Sequence, residues 1–269
     1  MSPPVITLLT DYGADSEFPG ICHGVISRVC SDATVIDISH GIARHDVRQG
    51  ALVLRSALAF MPVGVHVAIV DPQVGTERRA VAIRSGDGRT LVGPDNGVLS
   101  PAISACGFAL EAIDISRSKH RLEPVSATFH GRDVFAPVAA ALAKGAAFRA
   151  AGDPLAVEDL TRLELPKPSR DGDTIVAHAL LTDVYGNVTL DLRHEDLPNT
   201  GLVLGRRVQV ETNGQSHPVT FTSTFADVPA GELLLYEDAS RMLALAMNRG
   251  DAATLLGVEP DSEIRLTPQ

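Results

Sequence analysis

Cysteine is scarce in this chain. Cys22, Cys30 and Cys106 are odd in number and lack CxxC spacing, which argues against a disulfide framework and against a cysteine-built zinc site. Reduced thiols fit a cytoplasmic protein. No apolar stretch reaches the roughly 18 residues that a membrane span needs. The start, Met-Ser-Pro-Pro followed by VITLLTDYG, has no basic n-region, so the chain reads as soluble, cytoplasmic and unprocessed, with no membrane partner. Runs of Lys or Arg are also missing. With a formal charge of −10 and a pI near 5.3, the clustered basic footprint of a nucleic-acid binder is not there. An acidic surface attracts cationic small molecules mildly, although charge of this sign also serves solubility alone.

Two familiar motifs are absent as well. No GxGxxG follows the first apolar run, where LTDYGADSEF stands instead, which weighs against a dinucleotide-binding loop. The segment IDISHGIARHD gathers Asp37, His40, His45 and Asp46, with His23 nearby. It lacks the helical i, i+4 histidine pair of zinc hydrolases, and no ligand set recurs at a familiar spacing. No catalytic metal is expected.

What is present is a globular pattern in two halves. A chain of 269 residues with 45% hydrophobic content can bury one large core or two modest ones. Up to about residue 163, short β-branched runs alternate with helical patterns, as βα units do. Val5 to Leu9, Thr34 to Ile38, Val65 to Val70, Ala80 to Ile83 and Thr90 to Val92 read as strands. Phe18 to Val29, Asp46 to Phe60 and Val134 to Lys144 read as helices, the second with Val47, Ala51, Leu54 and Leu58 on one face. Unbroken apolar strands predict a sheet covered on both sides. Residues 164–173, a charged and Pro-rich stretch, read as a linker. From residue 174 to 269 short strands and turn signals such as Tyr185-Gly186-Asn187 and Asn213-Gly214 predict a small antiparallel barrel or sandwich.

Three strands of the first half run into aspartates, Asp11, Asp71 and Asp95. In an open α/β sheet, ligands bind at the carboxyl ends of strands, so the three acids are a candidate polar site, although each is also an ordinary turn residue. Two further clusters stand out. Asp71-Pro-Gln-Val-Gly-Thr-Glu-Arg78-Arg79 can form a tight loop with an acid and an arginine, or merely a hairpin with a surface ion pair. Thr128-Phe129-His130-Gly131-Arg132-Asp133 precedes a helical pattern, and the helix dipole disfavours an imidazolium there, so His130 is expected neutral and able to accept a proton. In the second half, Asp183 and Asn187 bracket a turn and can offer acceptors and donors to a ligand, or simply make the turn.

At these residues the chain resembles the S-adenosylmethionine hydroxide adenosyltransferase family, relatives of the fluorinases and chlorinases. The resemblance runs through LTDYG, VIDISHGI, DVRQGA, IVDPQVGTERRAV, VGPDNGVLSP, TFHGRDVFAPVAA, TDVYGNV, FADVPAGE and MNRGDAATLLG. It implies an N-terminal Rossmann-like α/β/α sheet domain, a small antiparallel C-terminal β-barrel, and a homotrimer with the ligand at subunit interfaces. The implied reaction is hydrolysis of S-adenosylmethionine (SAM) to adenosine and L-methionine, without a cofactor, by water attacking C5′. Asp71, Arg78 and His130 match the family's catalytic Asp-Arg-His set, Arg79 falling out of register. A retained carboxylate at Asp71 repels a halide nucleophile, which favours water. By the same resemblance Asp11 matches the acid that binds the ribose hydroxyls, and Phe129 walls the pocket. Asp183 and Asn187 match the positions that hold the methionine end, and Phe225 an adenine-side aromatic. Ser240, Asn248 and Arg249 are candidate C-terminal contacts. Where fluorinases have an indole the aligned residue is His45, and the chain has no tryptophan, so that wall differs. A halide-using enzyme on the same scaffold and an adenosyl-ligand binding protein without turnover are the alternatives.

Overall fold

The structure, a computed structural model, describes residues 3–198 and 200–269. The chain divides into two compact units, Met1–Leu163 and Glu164–Gln269.

In the first unit the chain runs β1 (Val5–Thr10), α1 (Glu17–Val29), β2 (Thr34–Ser39), α2 (Val47–Leu58), β3 (Val65–Ile69), β4 (Ala80–Ser85), β5 (Thr90–Pro94), α3 (Ser100–Ala105) and β6 (Ala109–Asp114). A π-helical turn, Gly131–Phe135, then leads into α4 (Ala136–Ala143), and β7 (Asp153–Leu155) closes the unit. The seven strands form one sheet in the order β2-β1-β3-β5-β4-β6-β7. Strands β2, β1, β3 and β5 are parallel, and β4 runs against both β5 and β6.

Successive strand side chains point to opposite faces, and here both faces are apolar. Ile6, Leu8, Val67 and Ile69 join Ile26 of α1 and Phe135 and Val138 in one core. Leu9, Ala68 and Val70 join Leu54 and Leu58 of α2 and Leu99 in the other. Each such buried side chain contributes roughly 1.5–3 kcal/mol of transfer free energy. The helices start where the residues dictate: Ser16 accepts from the Phe18 N–H and caps α1, and Asp46 accepts from the Gln49 N–H and caps α2. α3, β6 and β7 were not evident from periodicity. α3 has six residues, too few to display a helical repeat, and the sequence of β6 carries Glu111 and an exposed Leu110.

The second unit holds β8 (Ser169–Asp171), β9 (Thr174–Thr182), β10 (Val188–Arg193), β11 (Arg207–Thr212), β12 (Gln215–Phe221), β13 (Leu233–Glu237), β14 (Met242–Met247), α5 (Ala252–Leu256) and β15 (Glu263–Pro268). The sheet order β10-β14-β13-β12-β11-β15-β9 closes through a β9–β10 pairing. Closure makes seven strands a barrel rather than a sandwich. The expected barrel is there, and two details differ from the sequence reading. The barrel is antiparallel except at β12–β13, which are parallel, because the chain between Phe221 and Leu233 crosses back before pairing. The stretch 164–173 is also not linker throughout, since Ser169–Asp171 pairs with β9 as β8; its exposed polar residues gave no strand signal. Among the described residues no helix is long and apolar enough to cross a membrane.

Candidate active site

The strand order places a crevice between β1 and β3. β2 lies on one side of β1 and β3 on the other, so the winding reverses there, and the connections leaving the carboxyl ends of the two strands diverge to opposite sides around a natural ligand site. Asp11 follows β1 directly, and Asp71 follows β3 after Val70. The Asp11 N–H donates to the Ile69 carbonyl at 3.3 Å, which ties the two strand ends together. One oxygen of Asp11 accepts the His45 N–H at 2.9 Å, and His45 holds the left-handed backbone, φ 67°, that aims its N–H there.

Asp71, Arg78 and His130 meet. Arg78 Nε donates to both oxygens of Asp71, at 2.9 and 3.0 Å, and Nη2 donates to Asp71 Oδ2 as well. The same Nη2 reaches His130 Nδ1 at 3.0 Å. A guanidinium only donates, so Nδ1 accepts, and the neutral imidazole carries its proton on Nε2. Both charged partners are almost wholly buried, with 6% of the Asp71 side chain and 5% of the Arg78 side chain exposed. The Phe135 ring lies 5.3 Å from the guanidinium carbon, a cation–π platform. Burial is the main cause that lowers the His130 pKa, followed by the Arg78 charge, against an opposing pull from Asp71 and Asp133. The sequence anticipated a neutral His130 from the helix dipole; burial and Arg78 are the stronger reasons.

Local backbone makes this convergence possible. Gly75 in the Asp71–Arg78 loop has φ +80°, and a Cβ there would lie 2.4 Å from the Ala127 carbonyl oxygen. Only glycine lets the loop touch the segment that delivers His130. After His130 the chain makes π rather than α geometry, which accompanies functional sites disproportionately. Asp133, buried within that turn, accepts from the Ser126 N–H at 2.7 Å and from Arg132 Nε at 2.6 Å, and so holds the strap leading to His130. The helix was expected to begin at Val134; a π turn precedes it from Gly131, against which Tyr12 packs. A Cβ on Gly131 would lie 2.1 Å from the Tyr12 hydroxyl oxygen.

Phe129 is buried within an aromatic cluster, 5.8 Å from the Tyr12 ring and 4.6 Å from the Phe18 ring. Burial raises the Tyr12 pKa first, with Cys22, Asp11 and Asp71 adding to it, so the phenol stays protonated beside both acids. Tyr12, Phe18 and Phe135 were missed as site residues. The first is visible in LTDYG, but only packing reveals what its ring supports. Asp95 does not join the site: it binds Arg79 and accepts the Thr161 N–H at 2.8 Å, a structural brace.

In the second unit Asp183 organises its own turn. Its oxygens accept from the N–H groups of Tyr185 and Asn187 at 2.8 and 3.0 Å and from Asn187 Nδ2 at 2.8 Å. Phe225 lies 4.9 Å from the tilted ring of Tyr236, whose pKa is pushed up to about 12 by burial, then by Asp183 and Asp238. Phe225 thus packs on a tyrosine that the Asp183 charge influences, and Asn187 is bonded to Asp183. Asn248 donates from Nδ2 to the Val228 carbonyl at 2.7 Å, and Arg249 follows in a left-handed turn at φ 58°. Both lie at the Asp183 end of β14, since Val188 pairs with Leu245. Ser240 precedes the opposite end of that strand, about 20 Å away at ~3.3 Å per residue. Ser240 thus stands at one end of β14, and Asn248 and Arg249 at the other.

Family models described as the SAM hydroxide adenosyltransferase N-terminal and C-terminal domains match residues 6–152 and 177–265. An (R)-S-adenosyl-L-methionine hydrolase of Salinispora tropica is 43% identical over 268 residues, covering 99% of each chain. A fluorinase of an Actinoplanes species is 26% identical over 278 residues, 93% of each chain. The crystal structure of an uncharacterized conserved protein from Thermotoga maritima superposes with a TM-score of 0.91 at 32% identity, covering 97% of this chain and 99% of that one.

Proposed function

Because the chain belongs to the S-adenosylmethionine hydroxide adenosyltransferase family, we propose that it is a SAM hydrolase, cleaving its substrate with water to adenosine and L-methionine. The observation that carries water over halide is the carboxylate of Asp71, buried at the strand crevice beside Arg78. A fixed anion there repels chloride or fluoride and accepts a proton from water.

The site's own residues divide the work. Water attacks C5′ in line with the departing sulfur, from about 3–3.5 Å. The C–S bonding pair leaves with sulfur as a neutral thioether, and water's proton passes to Asp71 and then to solvent. Asp71 Oδ1 takes one hydrogen bond, from Arg78 Nε, and keeps lone-pair capacity for that proton. Arg78 eases hydroxide character in the water. His130, with Nδ1 occupied by Arg78, donates from Nε2 to the water oxygen and fixes which lone pair faces carbon. No cofactor is required, because the sulfonium carries its own activation: its positive charge disappears in the transition state, and a water-poor pocket favours that loss.

Asp11 binds the ribose hydroxyls, Phe129 walls the adenosyl pocket, Phe225 lies by the adenine, and Asp183 and Asn187 hold the methionine end. Ser240, Asn248 and Arg249, at the two ends of β14, supply the further C-terminal contacts to the substrate. The working assembly is a homotrimer with SAM at subunit interfaces. Support comes from the family resemblance and from the exposed Phe18, Val184 and Tyr185 beside the proposed contacts, which an adjoining copy would cover. The three buried free thiols suit the reducing cytoplasm.

The deciding experiment incubates the purified protein with each sulfonium epimer of SAM in oxygen-18 water. Labelled adenosine is expected. Unlabelled adenosine, a 5′-halo-5′-deoxyadenosine when chloride or bromide is supplied, or binding without turnover would each overturn the reading.

A further inference from the structure

Three side chains that the reaction leaves unused converge at the edge of the first sheet. His23 projects from α1, Asp37 from the edge strand β2, and His40 stands just beyond that strand. Nε2 of His23 lies 2.8 Å, and Nε2 of His40 3.0 Å, from the same oxygen, Asp37 Oδ1. Their donor atoms all fall within 4.8 Å of one another. His45 and Asp46, equally close in sequence, are engaged elsewhere, on Asp11 and on the α2 N-terminus.

A simple histidine–aspartate hydrogen bond accounts for His23 but not for His40. The His40 side chain is 10% exposed, and its Nδ1 is held 2.9 Å from Thr10 Oγ1. Its Nε2 is buried without a hydrogen bond, because Asp37 Oδ1 is near but out of line. An orphaned buried nitrogen costs about 1–3 kcal/mol, and a cation at the focus of the three donors would remove that cost. With Nε2 as the ligand atom, Nδ1 carries the proton and donates to Thr10, the outer brace that metal-bound histidines characteristically have.

We propose that His23, Asp37 and His40 bind one divalent cation of the zinc type and that the ion braces the Asp11 loop without taking part in the reaction. Two imidazoles and one carboxylate suit zinc, cobalt or nickel, whereas magnesium and calcium demand more oxygen ligands. The exposed Asp37 and half-exposed His23 leave open positions for water, so binding is reversible. The brace runs through His40, whose carbonyl accepts the Gly13 N–H at 2.8 Å and whose ring holds Thr10. Thr10 Oγ1 in turn accepts the Tyr12 N–H at 3.2 Å. Asp11 is thereby flanked on both sides by contacts to His40.

The test uses tag-free full-length protein, stripped with chelator and titrated with zinc chloride by calorimetry and with cobalt chloride by visible absorption. Wild type is expected to bind one equivalent, with the d–d bands of four- or five-coordinate cobalt. His23→Ala and Asp37→Asn should each weaken binding at least about tenfold, while His194→Ala, in a separate surface pair with Glu237, leaves it unchanged. Zinc should lower the KM for SAM in wild type but not in His23→Ala, and the stripped proteins should turn over at equal rates. Absence of saturable binding, or binding that survives His23→Ala, would overturn the site. Unchanged KM with zinc bound would overturn the brace.

Discussion

Replacing Gly75 by alanine tests how the candidate triad is assembled. Two costs add. At φ +80° an L-residue with a Cβ meets a backbone penalty of about 1–2 kcal/mol. The new methyl would also lie 2.4 Å from the Ala127 carbonyl oxygen, and backbone cannot swing aside as a side-chain tip can. Relief requires the loop and the 127 strap to part by roughly 1 Å, at a further cost of about 1–3 kcal/mol. The total of ~2–5 kcal/mol lowers Tm by roughly 4–20 °C at ~2–4 °C per kcal/mol. The same displacement stretches the 3.0 Å Arg78–His130 contact out of hydrogen-bonding range, and an error of that size costs about a hundredfold in kcat. Gly88→Ala is the control: its φ is +89°, yet its nearest neighbour would stand at 3.8 Å, so it carries the backbone penalty alone. Thermal melts and steady-state kinetics of both variants decide the matter. If Gly75→Ala melts with Gly88→Ala and keeps wild-type kcat, the close approach does not position the triad.

Asp71→Asn leaves the Arg78 charge buried without its partner and should destabilise by about 3–5 kcal/mol, read by denaturant unfolding, with kcat falling far more than KM rises. For His130, whose folded pKa is lowered by burial and then by Arg78, NMR titration should place the midpoint below the unfolded value of about 6.5. The sign follows: its contribution to stability is present above that value and fades as pH falls toward the folded pKa, and activity should show an acid limb in the same window. Arg78→Gln should move the midpoint upward while leaving it depressed by burial. Asp183→Ala removes three accepted hydrogen bonds from an exposed turn, so a loss of about 1 kcal/mol with a raised KM is expected by calorimetry and kinetics.

The residues themselves determined more of this protein than its shape. Apolar runs such as VITLL and VHVAIV point to strands covered on both sides, because alternate residues face opposite ways and nearly all are apolar; their two polar side chains, Thr7 and His66, hydrogen-bond to each other in the interior at 3.0 Å. The capping residues Ser16 and Asp46 likewise start their helices locally. Motif resemblance then gathered Asp71, Arg78 and His130 into one candidate set, although nothing in their spacing does so. Tertiary structure decided the rest, because hydrogen-bond direction and burial are properties of neighbours far apart in sequence. It set the tautomer of His130 through a nitrogen of Arg78, and assigned Asp95 to a brace although it ends a strand just as Asp11 and Asp71 do. It separated Ser240 from Asn248 by the length of β14. It also brought His23 onto the same carboxylate oxygen as His40, a meeting between a helix and an edge strand that no sequence spacing encodes.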